Sequence, residues 1–375
     1  MIIRSLKLQN FRNHSSTETT FAPGINVITG PNGAGKTSLI DGIHYLCMSK
    51  SFCVNSDQYV VKQGESFYMI TGDFEGQIRK NFEVSCNYSR GEGKKFFVNG
   101  SPLDRLSDLI GMVPVVTLSP DDKRLTREGP VERRSFIDAF ISQISNSYLR
   151  NLMDYNRIRK QRNRVLQDFN SAPSIVEAYL EPWTKQLVEK GAAIIFQRHQ
   201  VLERFKDYLA KDYAMVSGMN IEISLSYESF CNDYSSEEAI AVQFYEKLME
   251  MKEKEAEREQ TLVGPHRDEI LFHLDELELR KFGSQGQHRL FALAIKLAQL
   301  HYFSEELDDL PILLLDDVFG DLDLHKIEIL LQALEQHHGQ IFITAANKDL
   351  FKDFINFESP NNRLFYVELG KITEA

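Results

Sequence analysis

The sequence predicts an α/β protein interrupted by a helical insert. Three observations carry that reading. A short apolar strand, INVITG at 25–30, runs into a glycine-rich loop and then a helix. A continuous apolar run, LPILLLDD at 310–317, has the composition of a parallel strand buried on both faces. Between them, residues 130 to 211 repeat their apolar positions at helical rather than alternating spacing.

The elements follow in order. IIRSLKLQNF alternates, with Ile3, Leu6 and Leu8 among polar residues. SFYMITGDF, KNFEVSCNYS and KKFFVNG read as three further strands, and the RGEG between the last two as a hairpin turn. VPVVTL at 113–118 is another buried strand. Helical spacing begins with Phe136, Phe140, Ile141 and Ile144 and continues through Leu187, Ile194, Ile195 and Leu202. NIEISLSY is a short strand, and a charged helix follows at 236–259. DLHKIEILLQALEQHHG is an amphipathic helix, and QIFITAAN and RLFYVELG are the last strands. The chain therefore divides at 1–128, 129–258 and 259–375, the first and third parts forming one head around a helical arm.

Composition narrows the function. The chain has 375 residues, 42% hydrophobic and 26% charged, as soluble globular proteins do. No run approaches the ~20 apolar residues that a membrane span needs. The start, MIIRSLKLQNFRN, lacks the apolar core of an export signal. Cys47, Cys53, Cys86 and Cys231 are scattered with no CxxC pair, which fits a reduced, cytoplasmic protein without a zinc site. A net charge of −11 argues against a bulk polyanion binder, yet Lys123 to Arg164 holds eleven Lys/Arg against four acids. That asymmetry marks a local anion-binding surface. Lys123, Arg124, Arg133, Arg134, Arg157, Lys160 and Arg164 are its candidate anion contacts. The arginines of RIRKQRNR (157–164) lie around much of a helix, so only some can face one ligand.

GPNGAGKT at 30–37 fits G-x-x-x-x-G-K-[ST] between a strand and a helix. Gly30, Gly33 and Gly35 let successive N–H groups turn inward at a phosphate. The helix N-terminus adds its dipole. Lys36 reaches the β- and γ-phosphates of ATP, and the Thr37 hydroxyl holds Mg²⁺. Pro31, Asn32, Ala34 and Ser38 complete the lining. At the end of the 310–317 strand, Asp316 is the expected Mg²⁺ ligand and Asp317 the base for an attacking water. Ser284 with Gln287 has capping-box spacing before a long apolar helix. The same serine, with Gly286 and a helix N-terminus, can also hold the γ-phosphate of a nucleotide on a second molecule.

A phosphate loop, a later S-x-G-Q and a distal strand with paired acids is the order found in ABC-type ATPases. PNGAGKTSLIDGIHYL resembles their SMC/RecN/RecF group. LKLQNFRNH (6–14), GPHRDEI (264–270), FGSQGQHR (282–289) and Arg133–Arg134 with Phe136–Asp138 are similar to its RecF branch. Lys36 and Ser284 stand only 248 positions apart, without the long coiled coil of the SMC branch. The resemblance implies an ABC-type P-loop ATPase head with a helical arm that dimerises on ATP. Each site would join Gly30–Ser38, Asp316 and Asp317 of one copy to Ser284, Gly286 and Gln287 of the other. Arg12 would approach the phosphates, and FGDLD (319–323) would be the D-loop. It also implies duplex DNA and single-strand/double-strand junctions as ligands, and RecR/RecO-type mediators of recombinase loading as partners.

The departures have consequences. Asp317 stands where most ABC ATPases carry glutamate, which implies slow hydrolysis. Gly320 replaces the usual D-loop serine. Thr344 stands in for the switch histidine, and Ser119 of TLSPDD occupies the Q-loop position. In GPHRDE, His266 and Arg267 are read as structural support, capping a strand and pairing with Asp268. Another SMC-like ATPase is the alternative. A transporter subunit would show strong ATPase activity without DNA, a small-molecule kinase has no use for GSQGQ, and a scaffold would show no DNA-stimulated turnover.

Overall fold

The computed structural model describes residues 1–167, 173–219, 221–321, 324–335, 337–352 and 354–374. In chain order the first strands and helix are β1 (Ile2–Phe11), β2 (His14–Thr20), β3 (Ile25–Thr29), α1 (Lys36–Met48), β4 (Phe67–Glu75), β5 (Phe82–Ser89), β6 (Gly93–Val98), β7 (Ser101–Pro102) and β8 (Val115–Leu118). There follow α2 (Lys123–Arg127), α3 (Pro130–Ile144), α4 (Asn146–Gln167), α5 (Pro173–Ser217), β9 (Ile223–Glu228), α6 (Glu237–Glu250) and α7 (Lys252–Arg258). The chain closes with β10 (Glu269–Leu274), β11 (Leu277–Glu278), α8 (Leu279–Phe282), α9 (Gln285–Glu306), β12 (Ile312–Asp316), α10 (Leu324–Glu335), β13 (Ile341–Ala345), β14 (Arg363–Glu368) and β15 (Lys371–Glu374).

Two compact units result. The first comprises residues 1–122, 214–219 and 293–375. It holds an antiparallel sheet, ordered β2-β1-β4-β5-β6-β7, and a mostly parallel one, ordered β15-β14-β3-β13-β12-β8. In β12 and β13 every residue is buried, which is why ILLLD and IFITA read as unbroken apolar runs. In β1 burial alternates over most of its length, leaving Lys7 and Gln9 outward. Helix α1 packs on both sheets, and only Thr37 among its residues is not buried. Close approach sets its composition: a Cβ on Gly42 would lie 2.8 Å from Leu8 Cδ2.

The second unit comprises residues 123–213 and 220–292. It is helical around the three-stranded sheet β11-β10-β9. Its core is polar as well as apolar. Arg162 donates to Glu255 (2.6 Å), Thr184 (3.1 Å) and Thr261 (2.9 Å), all buried. Arg198 donates to Asp138 (2.7 Å) and to the Pro265 carbonyl (2.7 Å). This unit continues to Ala292, beyond the boundary that the sequence places at 258. The reason is β10, whose EILFHL pairs antiparallel with β9 and carries the following segment with it. β2, HSSTETT, also lies outside the strands read from sequence. It is almost wholly polar and earns its place through pairing with β1.

Candidate functional site

In the first unit the phosphate loop joins β3 to α1. Gly30, Gly33 and Gly35 have φ of 145°, 80° and 113°, which L-residues rarely adopt. A Cβ on Gly30 would sit 2.1 Å from the Val367 carbonyl oxygen, so only glycine fits there. Gly35 gives α1 no side-chain cap, and Leu39 N–H is the donor to its carbonyl. The N–H groups of Lys36, Thr37 and Ser38 are therefore left in the first turn with no helical acceptor. That cradle suits a phosphate. Lys36 Nζ donates to the Gly30 (2.7 Å) and Pro31 (3.0 Å) carbonyls, which holds the ammonium against the loop. Burial lowers its pKa, against the pull of Asp317 and Asp316.

β12 delivers the acids. Thr37 Oγ1 donates to both Asp316 oxygens (2.8 and 3.1 Å). Thr344, at the end of neighbouring β13, donates to Asp316 Oδ1 (2.7 Å) and accepts the Asp317 N–H (3.0 Å). Asp316 is buried, and burial raises its pKa against these two hydroxyl bonds. Asp317 is exposed and sits at φ 49°, a left-handed turn that aims it away from the strand. One hydroxyl and one carboxylate fit an ion such as magnesium that takes its remaining oxygens from phosphate and water. Among the described residues, no group of three or more His, Cys, Asp or Glu would hold a metal unaided.

The loop is braced from behind by residues whose role the sequence does not announce. Asn13 Nδ2 donates to the Gly33 carbonyl (3.2 Å). The Gly370 N–H donates to the Ala34 carbonyl (2.9 Å). His14 Nε2 lies 3.0 Å from the Gly35 carbonyl, with Nδ1 against Thr17 (2.8 Å) and the Gly370 carbonyl (3.0 Å). Three consecutive loop carbonyls thus point outward, and the N–H groups sharing their peptide planes point the other way. Arg12 pairs with buried Asp41 of α1 (3.0 Å). Asp41 also accepts from Ser51 and the Phe52 N–H. Ser119 closes a turn on Asp122 (2.7 Å) at the end of β8. In the D-loop, Phe319 is buried against Phe351, while Leu322 and Asp323 lie outside the described residues.

The signature belongs to the second unit. Ser284 and Gln287 form a reciprocal capping box: Gln287 N–H donates to Ser284 Oγ (3.2 Å), and Ser284 N–H to Gln287 Oε1 (2.8 Å). The serine hydroxyl keeps its own proton to donate. Ser284, Gln285 and Gly286 are all exposed.

The basic segment sorts by burial. Arg133 is 2% exposed and bound to Glu269 (2.9 Å), which removes it from any DNA-facing surface. Arg124 pairs with Glu128 and Glu132. Arg134 is half-buried and donates to the Asp268 carbonyl (2.6 Å), and Lys123 is half-buried. Arg157, Lys160 and Arg164 are exposed and share a face of α4 with Arg150, which the sequence reading left out. Asp268 pairs with Arg198, not with Arg267. His266 is fixed by Tyr155 (2.7 Å) and the Thr261 carbonyl (3.1 Å).

The comparisons with known proteins now decide the family. The profile described as RecF/RecN/SMC N terminal domain matches residues 2–366. DNA replication and repair protein RecF of Salinibacter ruber is 41% identical, covering 100% of this chain and 92% of that one. The chain belongs to the RecF family. RecF of Chloroherpeton thalassium is 40% identical over 94% of this chain and 96% of its own. A solved RecF, described as the recombination mediator protein RecF-ATP in the RecFOR pathway, superposes with a TM-score of 0.90. It is 28% identical, covering 100% of this chain and 97% of that one. An Smc head domain from Pyrococcus furiosus, 15% identical with a TM-score of 0.59, covering 100% of this chain and 96% of that one, shares the fold. The family thus has the ABC-type α/β head that the phosphate loop and paired acids predict, and the RecF branch matches end to end. No helix among the described residues is long and apolar enough to cross a membrane.

Proposed function

We propose that this chain is an ATP-gated DNA-binding protein of recombinational repair and replication, with slow hydrolysis as its release step. Two copies close on two ATP molecules, each held by the loop at Gly30–Ser38 of one copy and by Ser284, Gly286 and Gln287 of the other. The observation that carries this is the split of donor sets. One unit has a cradle of unpaired N–H groups, a lysine and acids. The other has an exposed helix cap able to donate to an anion. The likeness to a RecF described with ATP supports the nucleotide, and the RecFOR pathway named for that relative supports RecR/RecO-type partners.

The residues act as follows. The N–H groups of Lys36, Thr37 and Ser38 and the Lys36 ammonium bind the phosphates. Thr37 and Asp316 would hold Mg²⁺, which would supply charge neutralisation at the phosphoryl group. Thr344 keeps Asp316 oriented. Asp317 takes the proton of the attacking water. Its carboxylate stands one methylene shorter than glutamate, so the base is less well placed and turnover is slow. Ser284 of the second copy completes the site, so hydrolysis requires dimerisation.

The test measures duplex binding and sedimentation with ATP, ADP and no nucleotide at two salt concentrations. Dimerisation and salt-sensitive DNA binding that both require ATP are expected. Nucleotide-independent, salt-insensitive binding would overturn the gated reading.

A further inference from the structure

GPHRDE is the motif that the nucleotide site leaves unexplained. Every part of it is fixed except one side chain. Thr261, just before it, is bonded by Asn163 (2.7 and 2.9 Å) and Arg162, and the Leu262 N–H by Glu255 (2.7 Å). The Pro265 carbonyl is held by Arg198, the His266 ring by Tyr155 of α4, and the Asp268 carbonyl by Arg134 of α3. Tyr227 bonds the Asp268 carboxylate. Gly264, at φ 128°, is so tightly enclosed that a Cβ would come 2.4 Å from the Tyr155 hydroxyl. Between these anchors the Arg267 side chain is exposed. A fixed loop presenting one exposed cation is an arrangement for meeting an anion.

Two more guanidiniums converge on it. Arg134 reaches the residue next to Arg267. Arg159 lies one turn beyond Tyr155 on α4, half-buried at the edge of that face. Three of the carboxylates nearby are taken. Asp138 and Asp268 bind Arg198, and Glu269 binds Arg133. Glu228 shares a cleft with Arg267 and makes no ion pair among the described residues. Arg134, Arg159 and Arg267 likewise have no carboxylate partner among the described residues. The field they make shows at His266, pushed down to about 3 by burial first and then by Arg159, Arg267 and Arg134.

We propose that Arg134, Arg159 and Arg267 form a phosphate-binding cluster that takes a backbone phosphate of DNA. This rests on the DNA-binding reading above and gives it a defined contact. Arg150, Arg157, Lys160 and Arg164 recur at offsets of 7, 3 and 4 residues on the exposed face of α4, about 21 Å of helix at 1.5 Å per residue. At about 100° per residue that stripe lies roughly a quarter-turn or more around the helix from Arg159, so it is a second basic surface and not an extension of the cluster. A backbone phosphate held by arginines is bound without reading bases.

The experiment measures duplex affinity of the full chain with ATP across a salt series. The proteins are wild type, Arg267→Ala and Arg159→Gln/Arg267→Ala, with ATP binding and ATP-driven sedimentation recorded in parallel. Each lost contact is expected to lower the slope of log K against log salt by about one and to weaken all duplex sequences alike. ATP binding and dimerisation should stay at wild-type levels. Unchanged affinity and slope in both variants, with wild type still binding DNA, would overturn the cluster and leave the DNA-binding reading standing. Loss of dimerisation together with DNA binding would assign the anion to nucleotide phosphate instead, and overturn the DNA contact. Absence of DNA binding by wild type would overturn both.

Discussion

Asp317 shows what single residues decide. It leaves β12 at φ 49°, in a region where Asp is tolerated better than most residues, and its N–H is tied down to Thr344. Asp317→Asn should therefore keep ATP binding and dimerisation while hydrolysis falls by ~10²-fold or more, as loss of a general base requires. Single-turnover kinetics check this, and a parental rate would remove Asp317 from the mechanism. Thr344→Val tests its neighbour. It deletes a hydroxyl that is both donor to Asp316 and acceptor from Asp317 at nearly constant volume. The lost bond leaves a buried carboxylate short of a donor, a cost of about 1–3 kcal/mol. A reduced kcat and weaker Mg²⁺ dependence are expected, and unchanged values would make Thr344 a packing residue.

At the scale of elements, the site is a β3–α1 loop held by two hairpin turns. Leu369 and Gly370, with φ of 50° and 75°, form the tight β14–β15 turn whose N–H holds Ala34. A Cβ on Gly370 would come 2.6 Å from the Asn13 carbonyl oxygen, in the other turn. Gly370→Ala should raise KM for ATP and cost about 1–2 kcal/mol of stability for the left-handed residue. Thermal unfolding and ATP titration measure the two separately, and an unchanged KM would show that the turn does not set the loop. Sequence was informative at this scale where a motif binds its own geometry: the glycines of GPNGAGKT and the acids after ILLL sit where their chemistry places them. It was silent on Asn13, His14 and Gly370, because their partners are some 20 to 356 positions away and backbone carbonyls carry no sequence signal. It misjudged Arg133 for a related reason. A basic run shows charge, but only the fold shows that Glu269 has buried one member of it.

For the whole molecule, charge burial sets the response to pH. Burial first pushes His44 and His266 down to about 3 and His337 to about 4. Each is neutral when folded and gains a proton more readily when unfolded, so the unfolded chain binds more protons between those values and about 6.5. Stability must then fall as pH drops through that window, by up to ~1.4 kcal/mol per pH unit for each histidine. Asp268, raised to about 6 by burial, acts oppositely, since the folded chain keeps that proton longer. His14 and His288 are also pushed down by burial, and Asp41 and Asp316 pushed up, so five groups against three leave acidification destabilising. Thermal melts from pH 7 to pH 4 check this, and a flat or rising Tm would contradict it.

Dimerisation belongs to the same scale, and the composite site is the central claim. The direct measurement mixes two inactive variants of the full chain, Lys36→Ala, which lacks the phosphate-binding ammonium, and Ser284→Arg, which blocks the signature. A mixed dimer pairs the intact loop of the Ser284→Arg chain with the intact signature of the Lys36→Ala chain. Each variant alone should neither sediment as an ATP-dependent dimer nor hydrolyse ATP, and the mixture should recover both. Parental hydrolysis by Ser284→Arg alone, or no recovery on mixing, would contradict a site shared between two copies.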